Sequence, residues 1–220
     1  MAKLILLRHF KSQWNLENRF TGWVDVPLCN ENEERIKEVQ NLLAAEKIDV
    51  VYTSPLIRNK TSVLAALEGG DKYPIFIYEE GEMKDRGHFE AQGKNYLPVY
   101  VTAALNERYY GKLQGLNKDE TMKKYGEPLV HLWRRSYKKA PPGGESLSDV
   151  MRRTIPFYKK HMEQALKEGK NVLVVASHNS LRALVKYIEG IPDNDITNLE
   201  IQYAGLLAYG FANGIYKKLN

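Results

Sequence analysis

Two strongly apolar segments of this 220-residue chain each run directly into a histidine. The first, residues 4–7, ends at Arg8-His9, and the second, residues 171–176, ends at Ser177-His178. Uninterrupted apolar runs of this length are typical of strands that are buried on both faces of a parallel sheet. If the two strands are neighbours, both histidines lie at one edge of that sheet, where α/β proteins bind their ligands. The pair of segments therefore predicts both a fold class and the position of a site.

Strand-like and helix-like segments alternate along the rest of the chain. Further strands are predicted at 49–53, 75–78 and 97–103, with a terminal strand or hairpin over 205–219. Helices are predicted at 31–47 and 181–189, and two or three more over 117–168 with a break at 141–144. Another helix is predicted to start at Ser54-Pro55, because serine is a favourable N-cap and proline is favourable at the first helical position. This alternation predicts an α/β fold, a three-layer αβα sandwich with a mostly parallel central sheet. We expect one domain over 1–220, with an exposed polar excursion at about 79–96.

The composition narrows the function classes. The chain is 43% hydrophobic and 27% charged, with a net charge of +5. Its basic residues are distributed along the chain, and their local runs are only pairs. Such pairs form either a solvated face or an inward-facing pocket for a small polyanion, so neither a nucleic acid nor a membrane is the expected partner. The single cysteine, Cys29, excludes an internal disulfide framework and a cysteine metal cluster, and no histidine or carboxylate spacing predicts a metal site. The first residues enter a strand without a long apolar segment, so we expect a cytoplasmic protein.

Residue types suited to phosphoryl transfer recur at several points. Arginine binds phosphate oxygens bidentately, a neutral imidazole can attack phosphorus, and a carboxylic acid can protonate a leaving oxygen. The candidates are Arg8 and His9 with Ser12 and Asn15, then Arg58, then Glu107 with Arg108 and Tyr110, then Arg134 and Arg135, and finally His178 with Asn179.

Several longer strings carry a family resemblance. They are the pattern Leu-Arg-His-x-x-Ser-x-Trp-Asn at 7–15 and the segments 18–23, 105–111, 113–118, 133–137 and 179–185. In their order and most of their spacings these strings resemble the cofactor-dependent phosphoglycerate mutases of the histidine phosphatase superfamily. The resemblance covers about residues 3–190, and the strings at 105–111 and 113–118 are specific to the mutase branch.

The resemblance implies a role for each matched position. His9 is expected to become phosphorylated, primed by 2,3-bisphosphoglycerate, and Glu107 to act as general acid and base. Arg8 and Arg58 are expected to clamp the transferring phosphoryl group, helped by Asn15 and the second histidine, His178. Ser12 and Asn179 are expected to take part in substrate binding. The carboxylate and the second phosphate are assigned to Thr21, Gly22, Arg108, Tyr110, Lys118, Arg134 and Arg135. The implied reaction interconverts 3-phosphoglycerate and 2-phosphoglycerate without a metal, in glycolysis and gluconeogenesis, by an enzyme that is often a homodimer or homotetramer.

Both histidine motifs depart from the family pattern. Where the family has Arg-His-Gly-Glu, this chain has Phe10 and Lys11 after the histidine, which removes glycine's conformational freedom and reverses a charge. Where the family has Ala-His-Gly-Asn-Ser, this chain reads Ala-Ser-His-Asn-Ser, so either Ser177 or His178 takes the place of the second histidine. A one-residue shift on a strand reverses the direction of the side chain.

Two other functions remain open from the sequence. One is a phosphatase of the same superfamily, in which water drains the phosphohistidine. The other is a catalytically weakened paralogue that binds phosphoglycerates or a protein partner. The basic residues Lys118, Arg134 and Arg135 favour the mutase over the phosphatase, because they serve a second anionic group.

Overall fold

The computed structural model describes residues 1–87 and 95–219. Within these residues the strands are β1 (Ala2–Arg8), β2 (Val50–Thr53), β3 (Tyr73–Tyr78), β4 (Tyr96–Val101), β5 (Val172–Ala176), β6 (Leu206–Ala212) and β7 (Ile215–Lys218). They form one seven-stranded sheet in the order β3-β4-β2-β5-β1-β6-β7. The first five strands in that order are parallel, and β6 and β7 complete the sheet as an antiparallel hairpin. The predicted terminal hairpin is confirmed.

Helices cover both faces of the sheet. They are α1 (Gln13–Leu16), α2 (Glu33–Ala44), α3 (Ile57–Leu67), α4 (Glu82–Arg86), α5 (Lys118–Tyr125), α6 (Glu127–Arg135), α7 (Leu147–Phe157), α8 (Glu163–Lys167) and α9 (His178–Glu189). Helices α2 and α3 pack on one face, whereas α7, α8 and α9 pack on the other. The predicted three-layer α/β sandwich is therefore confirmed.

Strands β1 and β5 are direct neighbours, as their apolar sequences predict. They pair in parallel from Leu4 opposite Val172 to Arg8 opposite Ala176. Alternate residues of β1 enter two different cores, since Leu6 packs with α7–α9 and Leu7 packs with α2 and α3. Burial on both faces explains why this strand is a continuous apolar run rather than an alternating one.

Two predicted helix starts are wrong. Helix α3 begins at Ile57, not at Ser54-Pro55, because the Ser54 hydroxyl accepts hydrogen bonds from Leu56 N–H and from the Asn59 amide instead of capping a helix. Helix α9 begins three residues earlier than predicted, so that His178 lies in its first turn.

The region 117–168 forms three helical stretches, since a π-helical segment at 158–162 joins α7 to α8 after Pro156.

A smaller apolar cluster lies beyond the edge of the sheet. Phe20 and Leu113, from two loops, pack against Val130 and Trp133 of α6. This cluster fixes α5 and α6 as a wall above the carboxyl ends of the parallel strands.

The expected excursion at 79–96 is described only in part. Residues 80–87 are exposed and include the short helix α4, while Tyr96 already belongs to β4. Residues 88–94 of the excursion lie outside the described residues.

Phe10, which takes the place of the family's glycine, is a core residue. Its side chain is fully buried beside Leu7 and Val63. We expect Phe10→Ala to lower the free energy of unfolding by about 3–5 kcal/mol, because the truncation leaves a cavity between β1 and α3. Urea unfolding measures this change. Met83→Ala, at a side chain that is 57% exposed, is the control and should change stability by less than about 0.5 kcal/mol. Equal effects of the two substitutions would contradict the core assignment.

Candidate active site

A polar cleft opens at the carboxyl ends of β1, β2 and β5. Its lining includes most of the predicted site residues, namely Arg8, His9, Asn15, Thr21, Gly22, Arg58, Glu107, Tyr110, Lys118, Arg134, Arg135 and His178. Three predicted residues, Ser12, Arg108 and Asn179, are absent from this lining and lie directly behind it. The fold therefore brings the separated sequence motifs to one place.

His9 is buried at the end of β1 in a defined protonation state. Its backbone N–H donates to the Ala176 carbonyl at 3.1 Å, which continues the pairing of β1 with β5. Its Nδ1 lies 2.6 Å from the Phe10 carbonyl oxygen, and because a carbonyl only accepts, Nδ1 carries the proton and Nε2 does not. Burial, with Arg58 and Arg8 nearby, lowers the pKa of His9 well below its usual range. The ring is thus neutral, with a lone pair on Nε2, as a nucleophile requires.

The two residues that follow His9 point away from the cleft. The Phe10 side chain enters the core, and its N–H donates to the Ser62 hydroxyl at 3.0 Å. Among the described residues, the only non-glycine positions with positive φ are Asn18, Ala204 and Asn213, so the position after His9 does not need glycine. Lys11 extends to Glu31 at 3.4 Å, outside the cleft. These departures from the family motif leave the lining unchanged.

In the second histidine motif, His178 lies in the cleft and Ser177 does not. Ser177 is fully buried, and its hydroxyl accepts from the Asn59 amide at 3.1 Å, on the α3 side of the sheet. His178 lines the cleft, and its Nε2 accepts from Ile201 N–H at 3.4 Å. Burial and the neighbouring Arg8 lower the pKa of His178 well below its usual range, so this ring is also neutral.

The two arginines of the predicted phosphoryl clamp are held by backbone carbonyls. Arg58 donates to Gly22 O at 2.6 Å and to Val24 O at 3.0 Å, and burial lowers its pKa to about 10, which keeps it charged at neutral pH. Arg8 donates to Ile201 O, and its guanidinium lies 3.7 Å from the centre of the Tyr203 ring. These contacts fix both guanidinium groups before any ligand arrives.

Gly22 is favoured at its position. Its φ is +57°, and a Cβ atom there would lie 2.2 Å from Gln114 Oε1, so a larger residue would be strained and would displace the Gln114 side chain. The turn points the Gly22 carbonyl at Arg58.

Glu107 follows the 3₁₀ turn after β4 and is held from behind. Its Oε1 accepts from Arg108 N–H at 2.6 Å and from Asn179 Nδ2 at 2.7 Å. Asn179 is held in turn by Arg182, which donates to Asn179 Oδ1 at 3.0 Å. Asn179 and the buried Arg182 therefore orient the carboxylate from outside the lining, and the sequence patterns did not point to Arg182.

Ser12 has a similar supporting position. Its N–H and its hydroxyl both donate to Asn15 Oδ1, at 3.2 Å and 2.8 Å. Because the oxygen is fully used, the amide nitrogen of Asn15 is the group left to meet a ligand in the cleft.

One wall of the cleft is strongly basic. It carries Lys118 from α5 and Arg134 and Arg135 from the end of α6. Burial, with Arg134 nearby, lowers the pKa of Lys118 to about 8. Arg108 lies beneath this wall, where it donates to the Trp133 carbonyl and anchors the end of α6.

Several buried donors in and beneath the cleft lack a protein partner. Among the described residues, no hydrogen bond is made by Arg8 Nε, by Thr21 Oγ1, or by Nε and Nη2 of Arg108. A buried donor without a partner costs about 1–3 kcal/mol. Anionic oxygens are the groups that such donors bind, so the cleft is suited to a polyanion.

Five lining residues were not predicted: Arg19, Phe20, Glu200, Gln202 and Tyr203. The last three belong to the segment before β6. Since β6 is antiparallel, its amino end lies at the edge where the parallel strands have their carboxyl ends. The predicted terminal hairpin could have directed attention to this segment, which has no apolar run or histidine of its own.

No group of three histidine, cysteine or carboxylate side chains within 1–87 and 95–219 is arranged to hold a metal ion. The helices described in these ranges are all too short or too polar to cross a membrane.

Comparisons with known proteins agree with this geometry. The sequence pattern of the Histidine phosphatase superfamily (branch 1) matches residues 4–84 and 86–218. A 2,3-bisphosphoglycerate-dependent phosphoglycerate mutase of Methanococcus vannielii is 43% identical over 223 residues, covering 100% of this chain and 94% of the relative. The protein of the same name from Chlamydia pneumoniae is 41% identical and covers 97% of this chain and 95% of its own length.

Solved structures share the fold at lower identity. Bacillus stearothermophilus YhfR superimposes with a TM-score of 0.78 at 21% identity, covering 99% of this chain and 95% of that one. A mycobacterial glucosyl-3-phosphoglycerate phosphatase in complex with VO3 gives a TM-score of 0.76 at 21% identity, covering 99% and 97%. The histidine-centred cleft, the matched sequence pattern and the full-length relatives lead to one conclusion: the chain belongs to the histidine phosphatase superfamily.

Proposed function

We propose that this protein is a 2,3-bisphosphoglycerate-dependent phosphoglycerate mutase, which interconverts 3-phosphoglycerate and 2-phosphoglycerate. Relatives that are 41–43% identical over nearly their whole length carry that name. The observation that carries the proposal is the lining of the cleft, in which a neutral His9 and a fixed Glu107 share one site with Arg8 and Arg58 and with the further cations Lys118, Arg134 and Arg135. Two anionic ends of one small molecule match such a site.

The residues present fit 2,3-bisphosphoglycerate. The buried donors without protein partners, on Arg8, Thr21 and Arg108, face or underlie the cleft and need anionic oxygens. The residues proposed to hold the transferring phosphoryl group are Arg8, Asn15, Arg58 and His178, with Ser12 and Asn179 in support. The residues proposed for the carboxylate and the second phosphate are Thr21, Gly22, Tyr110, Lys118, Arg134 and Arg135, with Arg108 in support behind the lining. When bound, 2,3-bisphosphoglycerate supplies the phosphoryl group that primes His9.

The proposed chemistry uses His9 and Glu107 together. The lone pair on His9 Nε2 forms a bond to phosphorus while the bond from phosphorus to the substrate oxygen breaks. Glu107 donates a proton to that leaving oxygen and, in the return step, takes a proton from the hydroxyl that receives the phosphoryl group. The guanidinium groups of Arg8 and Arg58 stabilise the charge that develops on the phosphoryl oxygens. No net proton is gained or lost over the two steps.

The mutase explains the cleft better than a phosphatase does. Hydrolysis of a phosphohistidine needs one phosphate site and a water, whereas Lys118, Arg134 and Arg135 add three further cations to the lining. The phosphatase among the structural neighbours is only 21% identical and therefore supports the shared fold alone. The position of His178 in the cleft also argues against a weakened paralogue.

We place this reaction in glycolysis and gluconeogenesis, in the cytoplasm, with phosphoglycerates as the small-molecule partners and no metal required. The single-domain organisation stays a prediction from the chain length, and a homodimer or homotetramer stays a prediction from the family.

Turnover of 3-phosphoglycerate, with and without added 2,3-bisphosphoglycerate, tests the proposal. We expect stimulation by the bisphosphate, and we expect radiolabelled phosphate to be retained on the protein as an acid-labile phosphohistidine. His9→Ala should abolish the retained label, and Glu107→Gln should lower kcat about 10²–10⁴-fold, because it removes the general acid. His131→Ala, at an exposed position of α6, is the matched control. A lack of bisphosphate stimulation, or full labelling of the His9→Ala variant, would reject the proposed function.

The lowered pKa of Lys118 predicts a pH dependence of substrate binding. Because this pKa is about 8 in the ligand-free protein, Lys118 loses its positive charge as the pH rises through 8. The substrate phosphate is already fully ionised there, so kcat/KM should fall between pH 7 and 9.5 by about tenfold, the value of one charge-assisted hydrogen bond. Arginine keeps its charge over this range, and the fall should therefore disappear in Lys118→Arg. A fall of equal size in both proteins would show that another group is responsible.

A further inference from the structure

The segment before β6, residues 200–204, contacts Arg8, His9 and His178. Its backbone accepts from Arg8 at Ile201 O and donates to His178 from Ile201 N–H. The Tyr203 ring stacks on Arg8, and Ala204 N–H donates to the His9 carbonyl at 3.3 Å. These contacts fix the backbone of the segment without any contribution from the side chain of Glu200.

Glu200 places a carboxylate among the cations of the cleft. Its Oε2 forms an ion pair with Arg135, and its Oε1 lies 3.5 Å from Arg8 Nη1 and 3.4 Å from His178 Nε2. The carboxylate therefore bridges Arg8, at the end of β1, and Arg135, at the end of α6. This is the position that an anionic ligand oxygen would take if it used both guanidinium groups.

The contacts of Glu200 are suited to exchange with a ligand. The contacts with Arg8 and His178 are long, and the lowered pKa of His178 keeps that ring neutral. The Glu200 side chain is also 37% exposed, so it can reach solvent. Rotation into solvent would break one close ion pair and would leave the backbone contacts of Ile201 in place. By contrast, the carboxylate of Glu107 is held from behind by Asn179 and cannot leave in this way.

We propose that Glu200 is an internal counter-ion, a specificity-determining residue that occupies the anion position between Arg8 and Arg135 and is displaced when a substrate phosphate or carboxylate binds. The inference rests on the proposed function only in taking phosphoglycerates as the ligands. A competing internal anion weakens the binding of every ligand that uses these two arginines and speeds its release. It also offsets part of the positive charge of the cleft when no ligand is bound.

Glu200→Gln tests the proposal, because it keeps the shape of the side chain and removes the charge. Isothermal titration with inorganic phosphate and with 3-phosphoglycerate should give Kd values about tenfold lower than for the unaltered protein, and KM for 3-phosphoglycerate should fall in parallel. Glu200→Asp keeps the charge but is too short to span both arginines, so its Kd values should lie between the two. Glu31→Gln, which removes an exposed carboxylate paired with Lys11 outside the cleft, should leave Kd unchanged.

The outcomes separate this inference from the proposed function. Binding of 3-phosphoglycerate by the unaltered protein with no gain in Glu200→Gln would overturn the counter-ion and leave the mutase intact. Weaker binding in Glu200→Gln, with a lower kcat, would also overturn it and would make Glu200 a support for Arg8 or Arg135. Absence of 3-phosphoglycerate binding in both proteins would overturn both proposals.

Discussion

The parallel pairing of β1 with β5 determines where the chemistry can take place. Because Arg8 lies opposite Ala176, the chain leaves both strands at the same height and enters the cleft from both at once. The His9 N–H extends the ladder by one more bond to Ala176 O, which holds His9, the proposed nucleophile, against the beginning of α9. That first turn then supplies His178 and, behind the lining, Asn179. A shift in this register would separate His9 from the group that orients Glu107.

The second requirement of the structure is to keep several guanidinium groups inside a small volume. Burial penalises their charge, as the lowered pKa values of Arg58 and Arg108 indicate. Loop carbonyls offset part of this cost for Arg58, and a stacked tyrosine does so for Arg8. Some buried donors in and beneath the cleft still have no partner, and Glu200 already places one carboxylate between two arginines. Both observations indicate that the cleft binds anionic oxygens. The electrostatic design thus serves binding rather than stability.

The sequence predicts the sheet and the centre of the site because both depend on strong local patterns. A buried parallel strand must be apolar throughout, and a polar residue at its end must lie at the edge of the sheet. Helix starts were harder, since Ser54 looks like a cap but uses its hydroxyl in a buried network with Asn59. Supporting residues such as Arg182 act through another side chain, and Glu200 reaches the cleft through an antiparallel strand. Such roles depend on tertiary contacts that no local pattern records.

The second histidine motif shows how the backbone conformation decides which side chain enters the cleft. Ser177 is still extended, with φ of −86° and ψ of 161°, and its side chain faces α3. Alternation along extended chain turns the next side chain to the other side, which here is the cleft. Because α9 begins at His178, the helix fixes the direction of this side chain, and the backbone of the first turn stays beside Glu107. The residue at which the chain changes from strand to helix therefore decides which of the two adjacent side chains enters the cleft.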